Sequence, residues 1–132
     1  MTPSLRSFAE RYTAAWCSQD PRAVAAFFSS NGSLTINDGV PARGRQAIAD
    51  AAQSFMTAFT DLKVEMDDLI ERGGKAIYKW TLTGTNTAPG GSGKPVRISG
   101  FEEWQIDDDG LIAHSQGRFD AAEYRRQIEG GQ

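Results

Sequence analysis

The sequence predicts an α+β fold in which a cone-shaped, curved antiparallel sheet packs on N-terminal helices, and three observations carry that prediction. Apolar residues recur at spacings of three and four up to Phe59, and at a spacing of two after it. Gly-Gly, Pro-Gly and Asp-Gly pairs punctuate the later segments, as turns between strands do. Helices that come first and strands that follow make separate layers rather than alternating units. At 132 residues the chain has the length of one domain, and it reads as a single domain over 1–132.

Thr2-Pro3 supplies a helix start, with threonine as N-cap and proline in the first turn. Leu5, Phe8, Tyr12 and Trp16 then form one helical stripe. Asp20-Pro21 repeats the start signal for a second helix carrying Val24, Phe27 and Phe28, stopped near Asn31-Gly32. Ser33 to Asp38 alternates and predicts a strand with Leu34 and Ile36 on one face. A loop containing Gly39, Pro41 and Gly44 leads to a third helix with Ile48, Ala52, Phe55 and Phe59 on one side. Four strands follow. The first carries Leu62, Val64 and Met66, and Gly73-Gly74 turns it into a second with Ala76, Tyr78, Trp80 and Leu82 inward. Ala88 to Gly93 is a flexible lip. The third strand puts Val96, Ile98, Gly100, Glu102, Trp104 and Ile106 on one face. After the turn at Asp107 to Gly110, the last strand sets Leu111, Ala113, Ser115, Gly117 and Phe119 against Ile112, His114, Gln116 and Arg118. Asp120 and Glu123 have capping-box spacing and open a final helix, ended by Gly130-Gly131.

Composition narrows the chemistry. The net charge of −3 gives no basic field for nucleic acid. No apolar run approaches the ~20 residues that span a bilayer, and no signal-peptide pattern opens the chain, so the expected setting is the cytoplasm. A single cysteine and a single histidine argue against a disulfide, a metal site or a Ser-His-Asp triad. No cofactor motif is present, and any chemistry falls to carboxylates, tyrosines and shape.

Glu102 is the most informative residue, because its strand face is otherwise apolar. A carboxyl there points into the interior, where burial raises its pKa and keeps it neutral as a hydrogen-bond donor. The structural alternatives are a glutamate bonded to a buried tyrosine or tryptophan, and a strand bulge that turns it outward. Tyr12 shares its stripe with Leu5, Phe8 and Trp16. Either its hydroxyl reaches the pocket beside Glu102 or it is a core tyrosine with another partner. Asp38 follows the face of Leu34 and Ile36 and is the candidate base, although Asn37-Asp38-Gly39 is equally a turn sequence. Trp16, Tyr78, Trp80, Trp104 and Phe119 form apolar walls, Ser115 lies on the last strand's inner face, and Gly100 and Gly117 leave room for a ligand beside Glu102.

The stretch Phe8-Ala9-Glu10-Arg11-Tyr12-Thr13-Ala14-Ala15-Trp16, followed by Asp20 and by Val24-Ala25-Ala26-Phe27-Phe28, resembles the opening of the nuclear transport factor 2-like superfamily. Trp80 to Thr87 is similar to the strand-and-loop motif of its SnoaL-like polyketide cyclase branch, and Gly110-Leu111-Ile112 with Phe119-Asp120 resembles the family's last strand. The resemblance implies a cystatin-like α+β barrel. By similarity to ketosteroid isomerases it implies an oxyanion hole at Tyr12 and Glu102. The isomerases' base falls near Ile36, two residues from Asp38. The Arg-x-Asp pair of related epoxide hydrolases falls on Gly100 and Glu102, and their second aspartate on Gly117. The cyclases' His-x-Asp pair falls on Ser115 and Gly117. Most of those groups are therefore missing.

Two functions follow as expectations. The first is a cofactor-free isomerase or cyclase, moving a proton next to the carbonyl of a small apolar ligand through Tyr12, Glu102 and Asp38. The second is a non-catalytic module that binds such a ligand. They separate on whether Asp38 lies in the pocket. Phe101, between Ser99 and Glu103 on the outer sheet face, further predicts a homodimer through that face.

Overall fold

The computed structural model describes residues 4–87 and 91–129. The helix start at Thr2-Pro3 and the stop at Gly130-Gly131 lie outside the described residues, as does the Ala88-Pro89-Gly90 part of the lip. Helix α1, Leu5–Cys17, opens on Ser4, whose hydroxyl accepts the Ser7 N–H at 3.0 Å. It buries Phe8, Tyr12 and Trp16, the stripe read from the sequence. Helix α2, Pro21–Ala25, is capped by Asp20 and is shorter than expected. Phe27 and Phe28 do not continue it, because the chain turns at Ala26 and strand β1, Phe28–Ile36, begins with Phe28 fully buried. The pairing of β1 shifts between Phe28 and Ser33, across the Asn31-Gly32 pair that was expected to end a helix. Gly32 belongs there because a Cβ would stand 2.9 Å from the Ile112 carbonyl oxygen.

A short strand β2, Ala42–Arg43, pairs with β1 where the sequence suggested only a loop. Helix α3, Gly44–Ala58, buries Ile48, Ala52 and Met56, and Phe59 closes it fully buried. Strands β3, Lys63–Arg72, and β4, Lys75–Thr85, are joined through Gly73 and Gly74, whose φ values of 53° and 82° explain the glycine pair. Strands β5, Pro95–Ile106, and β6, Ile112–Phe119, follow, and α4, Ala121–Glu129, closes the described chain with Asp120 accepting the Glu123 N–H at 3.0 Å.

The six strands form one curved, unclosed sheet in the order β2-β1-β6-β5-β4-β3. It is mixed rather than wholly antiparallel, since β1 runs parallel to β6. The last strand also departs from simple alternation. Its pairing with β5 shifts between Gln105 and Ile106, and Ile112, expected outward with His114, is fully buried.

Register places the interior in layers. Ala76, Trp104, Ser115 and Leu34 form one rung across β4, β5, β6 and β1. Tyr78, Glu102, Gly117 and Ile36 form the next, and Trp80, Gly100 and Phe119 the one beyond. Helices α1 and α3 cover this concave face.

Candidate functional site

Between the concave face and the helices lies a cavity of about 60 Å³, bounded by Trp16, Tyr78, Trp80, Glu102, Gly117 and Phe119 among others. A wider surface groove of about 670 Å³ at the other end of the strands is lined by charged residues such as Arg11, Glu71 and Lys75. The cavity is the better site, because a single carboxyl set in apolar walls fixes a ligand's orientation as well as binding it.

Glu102 is 7% exposed. Its two oxygens have different surroundings. Oε1 accepts from the Tyr12 hydroxyl at 2.9 Å, the Trp104 indole N–H at 2.9 Å and the Ser115 hydroxyl at 2.8 Å. Oε2 has only the second, longer arm of the Tyr12 hydroxyl, at 3.2 Å. Burial pushes the Glu102 pKa above the ordinary carboxylate value, and the donors from Trp104, Ser115 and Tyr12 draw it partly back. A neutral Glu102 carries its proton on Oε2, since Oε1 is already filled by three donors. The same burial, with Glu102 adjacent, raises the Tyr12 hydroxyl well above its usual value, so it remains a donor.

The two glycines flanking Glu102 are unlike each other. At Gly117 a Cβ would meet the Glu102 Cγ at 3.7 Å, an ordinary contact, so this position does leave the carboxyl open. At Gly100 a Cβ would lie 2.3 Å from the Arg118 carbonyl oxygen and 2.7 Å from Trp80 Cζ2. Gly100 therefore makes no room for a ligand. It lets Trp80 cross β5 to meet Phe119, ring centroids 5.9 Å apart.

Of the sequence candidates, Trp16, Tyr78, Trp80, Glu102, Gly117 and Phe119 bound the cavity, whereas Tyr12, Trp104 and Ser115 lie fully buried behind it. The Tyr12 proton is committed to Glu102 rather than offered to a ligand. Tyr78, on the wall, shares a hydrogen bond with Thr13 at 2.5 Å, and burial raises its pKa. Asp38 is not at the cavity. Asn37, at φ 53°, locks the strand end to β6 by donating to the Gly117 carbonyl and accepting the Phe119 N–H, and so turns Asp38 outward. There its side chain is 95% exposed and pairs with Arg118 at 3.3 Å. Sequence reasoning missed Phe55 and Tyr124 as walls. Phe55 was legible as an inward helical residue. Tyr124 was not, because its placement depends on where α4 docks.

This strand order, with helices over the concave face, is the fold of ketosteroid isomerase-like proteins. The SnoaL-like domain model matches residues 9–115, and the chain belongs to that family, within the nuclear transport factor 2-like superfamily. Among similar solved structures is a protein from Catenulispora acidiphila with a ketosteroid isomerase-like fold, in complex with trimethylamine. It is 16% identical, with a TM-score of 0.82 over 98% of this chain and 95% of that one. TsrD from Streptomyces laurentii is 25% identical, with a TM-score of 0.82 over 97% and 96%. A protein from Jannaschia sp. named for SnoaL-like polyketide cyclases is 13% identical, with a TM-score of 0.77 over 98% of each chain. No curated protein matches the chain. Among the described residues, no helix is long and apolar enough to cross a membrane, and no cluster of His, Cys, Asp and Glu could hold a metal ion.

Proposed function

We propose that this protein binds a small, largely apolar, carbonyl-bearing molecule in the cavity, with neutral Glu102 donating from Oε2 to the carbonyl oxygen. The observation that carries the reading is the asymmetry of Glu102, a residue that borders the cavity: Oε1 is filled by three protein donors, whereas Oε2 has one longer contact, from Tyr12. Binding, rather than proton transfer at carbon, fits best. The other titratable groups on the wall, Tyr78 and Tyr124, are both held protonated by burial, and Asp38 faces solvent.

The cavity is narrow against the roughly 300 Å³ of a small-ligand site, so a two-ring molecule must widen it. Helix α4 is the wall best able to yield. None of its residues is buried, and its Gln127 amide clasps the Arg97 backbone, accepting its N–H at 2.6 Å and donating to its carbonyl at 2.9 Å.

The test uses 1-indanone against indane, the same rings without the carbonyl. Indanone binds more tightly, and its affinity falls as pH rises through the Glu102 titration. In Glu102→Gln the amide oxygen takes the place of Oε1 and the NH₂ that of the Oε2 hydroxyl, so binding persists and becomes independent of pH. Equal affinity for indane and indanone, or the same pH profile in both proteins, overturns the reading.

The outer sheet face supports a second proposal, a homodimer. Phe101 is 38% exposed there, and a second copy would cover it. Light scattering of wild type and Phe101→Lys tests it, with a dimer expected to become a monomer; a wild-type monomer at micromolar concentration overturns it.

A further inference from the structure

A second concavity lies at the end of the strands away from the Glu102 cavity, the surface groove of about 670 Å³, a volume within the ~300–1,000 Å³ of small-molecule sites. Three turns frame it, and backbone hydrogen bonds tie them together. The Ile106 N–H donates to the Gly74 carbonyl at 3.2 Å, joining the β5–β6 turn to the β3–β4 turn. The Ile112 N–H donates to the Phe27 carbonyl at 2.9 Å, joining it to the turn before β1. Asp107 shapes the β5–β6 turn. Its Oδ2 accepts the Ser29 hydroxyl, and its Oδ1 accepts the Asp109 and Leu111 N–H groups at 2.9 and 3.0 Å. The Ser29 hydroxyl and these N–H groups hold its carboxyl below the ordinary carboxylate value, so its charge is spent within the turn. Leu5, Phe27, Ile106 and Leu111 line the groove and are only partly buried, which leaves apolar surface facing a ligand.

Arg11 is the charge that adjoins this apolar wall. Its guanidinium carbon lies 5.9 Å from the ring centroids of both Phe8 and Phe27. Packing against two rings restrains the group, lowers the conformational cost of using it and keeps its N–H fork for a planar acceptor. Among the described residues it forms no ion pair and no side-chain hydrogen bond. With Asp107 spent, Arg11 and Lys75 stand against Glu71 and Asp109, two charges of each sign. That balance accepts one negative charge beside Arg11 and disfavours a polyanion such as a phosphate ester. We infer that the groove is a second ligand site, for a monocarboxylate with a flat apolar body. The carboxylate takes the Arg11 fork through two parallel N–H bonds, and the body lies on the surface left open by Phe27 and Leu111. The site is independent of the carbonyl reading at Glu102, whose cavity has no cation on its wall.

The test uses 2-naphthoate against 2-naphthamide, the same rings without the charge, followed by ¹⁵N-resolved NMR. 2-Naphthoate binds roughly tenfold more tightly, the worth of a charge-assisted hydrogen bond, and added salt narrows the gap. Its shifts fall on the Gly74, Ile106, Gly110 and Leu111 amides and on the Arg11 Nε–H. Arg11→Met keeps an apolar stem beside Phe8 and Phe27, loses the charge and abolishes the preference for the carboxylate. Arg11→Lys keeps the charge without the fork and recovers only part of it. Arg11 is exposed, so both variants retain the fold, which the undisturbed amide spectrum checks. 2-Naphthoate that fails to bind, that binds no more tightly than 2-naphthamide, or that keeps its preference in Arg11→Met overturns the inference. So do shifts that fall on Trp80, Phe119 and Tyr124 at the Glu102 cavity instead of on the groove. None of these outcomes bears on 1-indanone at Glu102, and the two sites stand or fall separately.

Discussion

Glu102 and Asp38 are the two carboxyls that the sequence marks for chemistry, and the structure treats them oppositely. Glu102 sits in mid-strand, with neighbouring strands supplying a donor from Ser115 and a helix supplying Tyr12. Asp38 sits two residues past a strand end, where Asn37 has already turned the chain. Alternation fixes the face of a residue in the regular middle of a strand, and it fails at a register shift or where the backbone leaves the ladder. A carboxyl in the first setting is fixed by the sheet, whereas in the second it is released to water.

The strongest way to break the contrast is to attack the Glu102 layer itself. Gly100→Ala forces a Cβ into the Arg118 carbonyl and the Trp80 ring, and should cost about 3 kcal/mol or more by urea denaturation. Gly117→Ala, one strand over, meets only ordinary contacts and should cost under about 1 kcal/mol. Equal losses at the two glycines would contradict the geometry. Glu102→Leu orphans three buried donors and should cost on the order of 3 kcal/mol, mostly regained in Glu102→Gln.

The pH dependence sharpens the same point. Burial raises the Glu102 pKa in the folded state, so its contribution to stability is full below the unfolded value, near ~4.3. It declines as pH rises between the unfolded and folded values and is a net cost above the folded one. Wild type should therefore lose stability relative to Glu102→Gln across that window. At neutral pH the variant should be as stable as wild type or more so. A difference that is flat with pH would contradict this.

The α4 wall and the outward Asp38 should respond more weakly. Gln127→Ala removes the clasp on Arg97, so amide exchange at Arg97 should accelerate while the β5–β6 core stays protected. Asp38→Asn should change neither stability nor indanone affinity measurably, because its ion pair is solvent-exposed.

Much of this layer was legible in the sequence. The period of two set Glu102, Trp104 and Tyr78 on one face, and the stripe of α1 set Tyr12 and Trp16 towards them. The length of α2 was not legible, since Phe27 and Phe28 suit a helix as well as a strand and the tertiary pairing to β6 decides. The parallel pairing of β1 was hidden for the same reason. The roles of the two glycines look alike in sequence and differ because the Arg118 carbonyl and the Trp80 ring fill the space at one of them. Likewise, that Tyr12 holds Glu102 instead of facing a ligand depends on where its single proton goes, which no spacing reveals.

The central claim is that Glu102 is a neutral acid with one oxygen reserved for a ligand. Carboxyl ¹³C NMR titration of wild type, with Glu102→Gln to assign the signal, tests it most directly. The account predicts a midpoint above the ordinary carboxylate range, moving higher still when 1-indanone is bound, because a carbonyl acceptor stabilises the protonated form. A midpoint at the ordinary glutamate value, unmoved by 1-indanone, would contradict it.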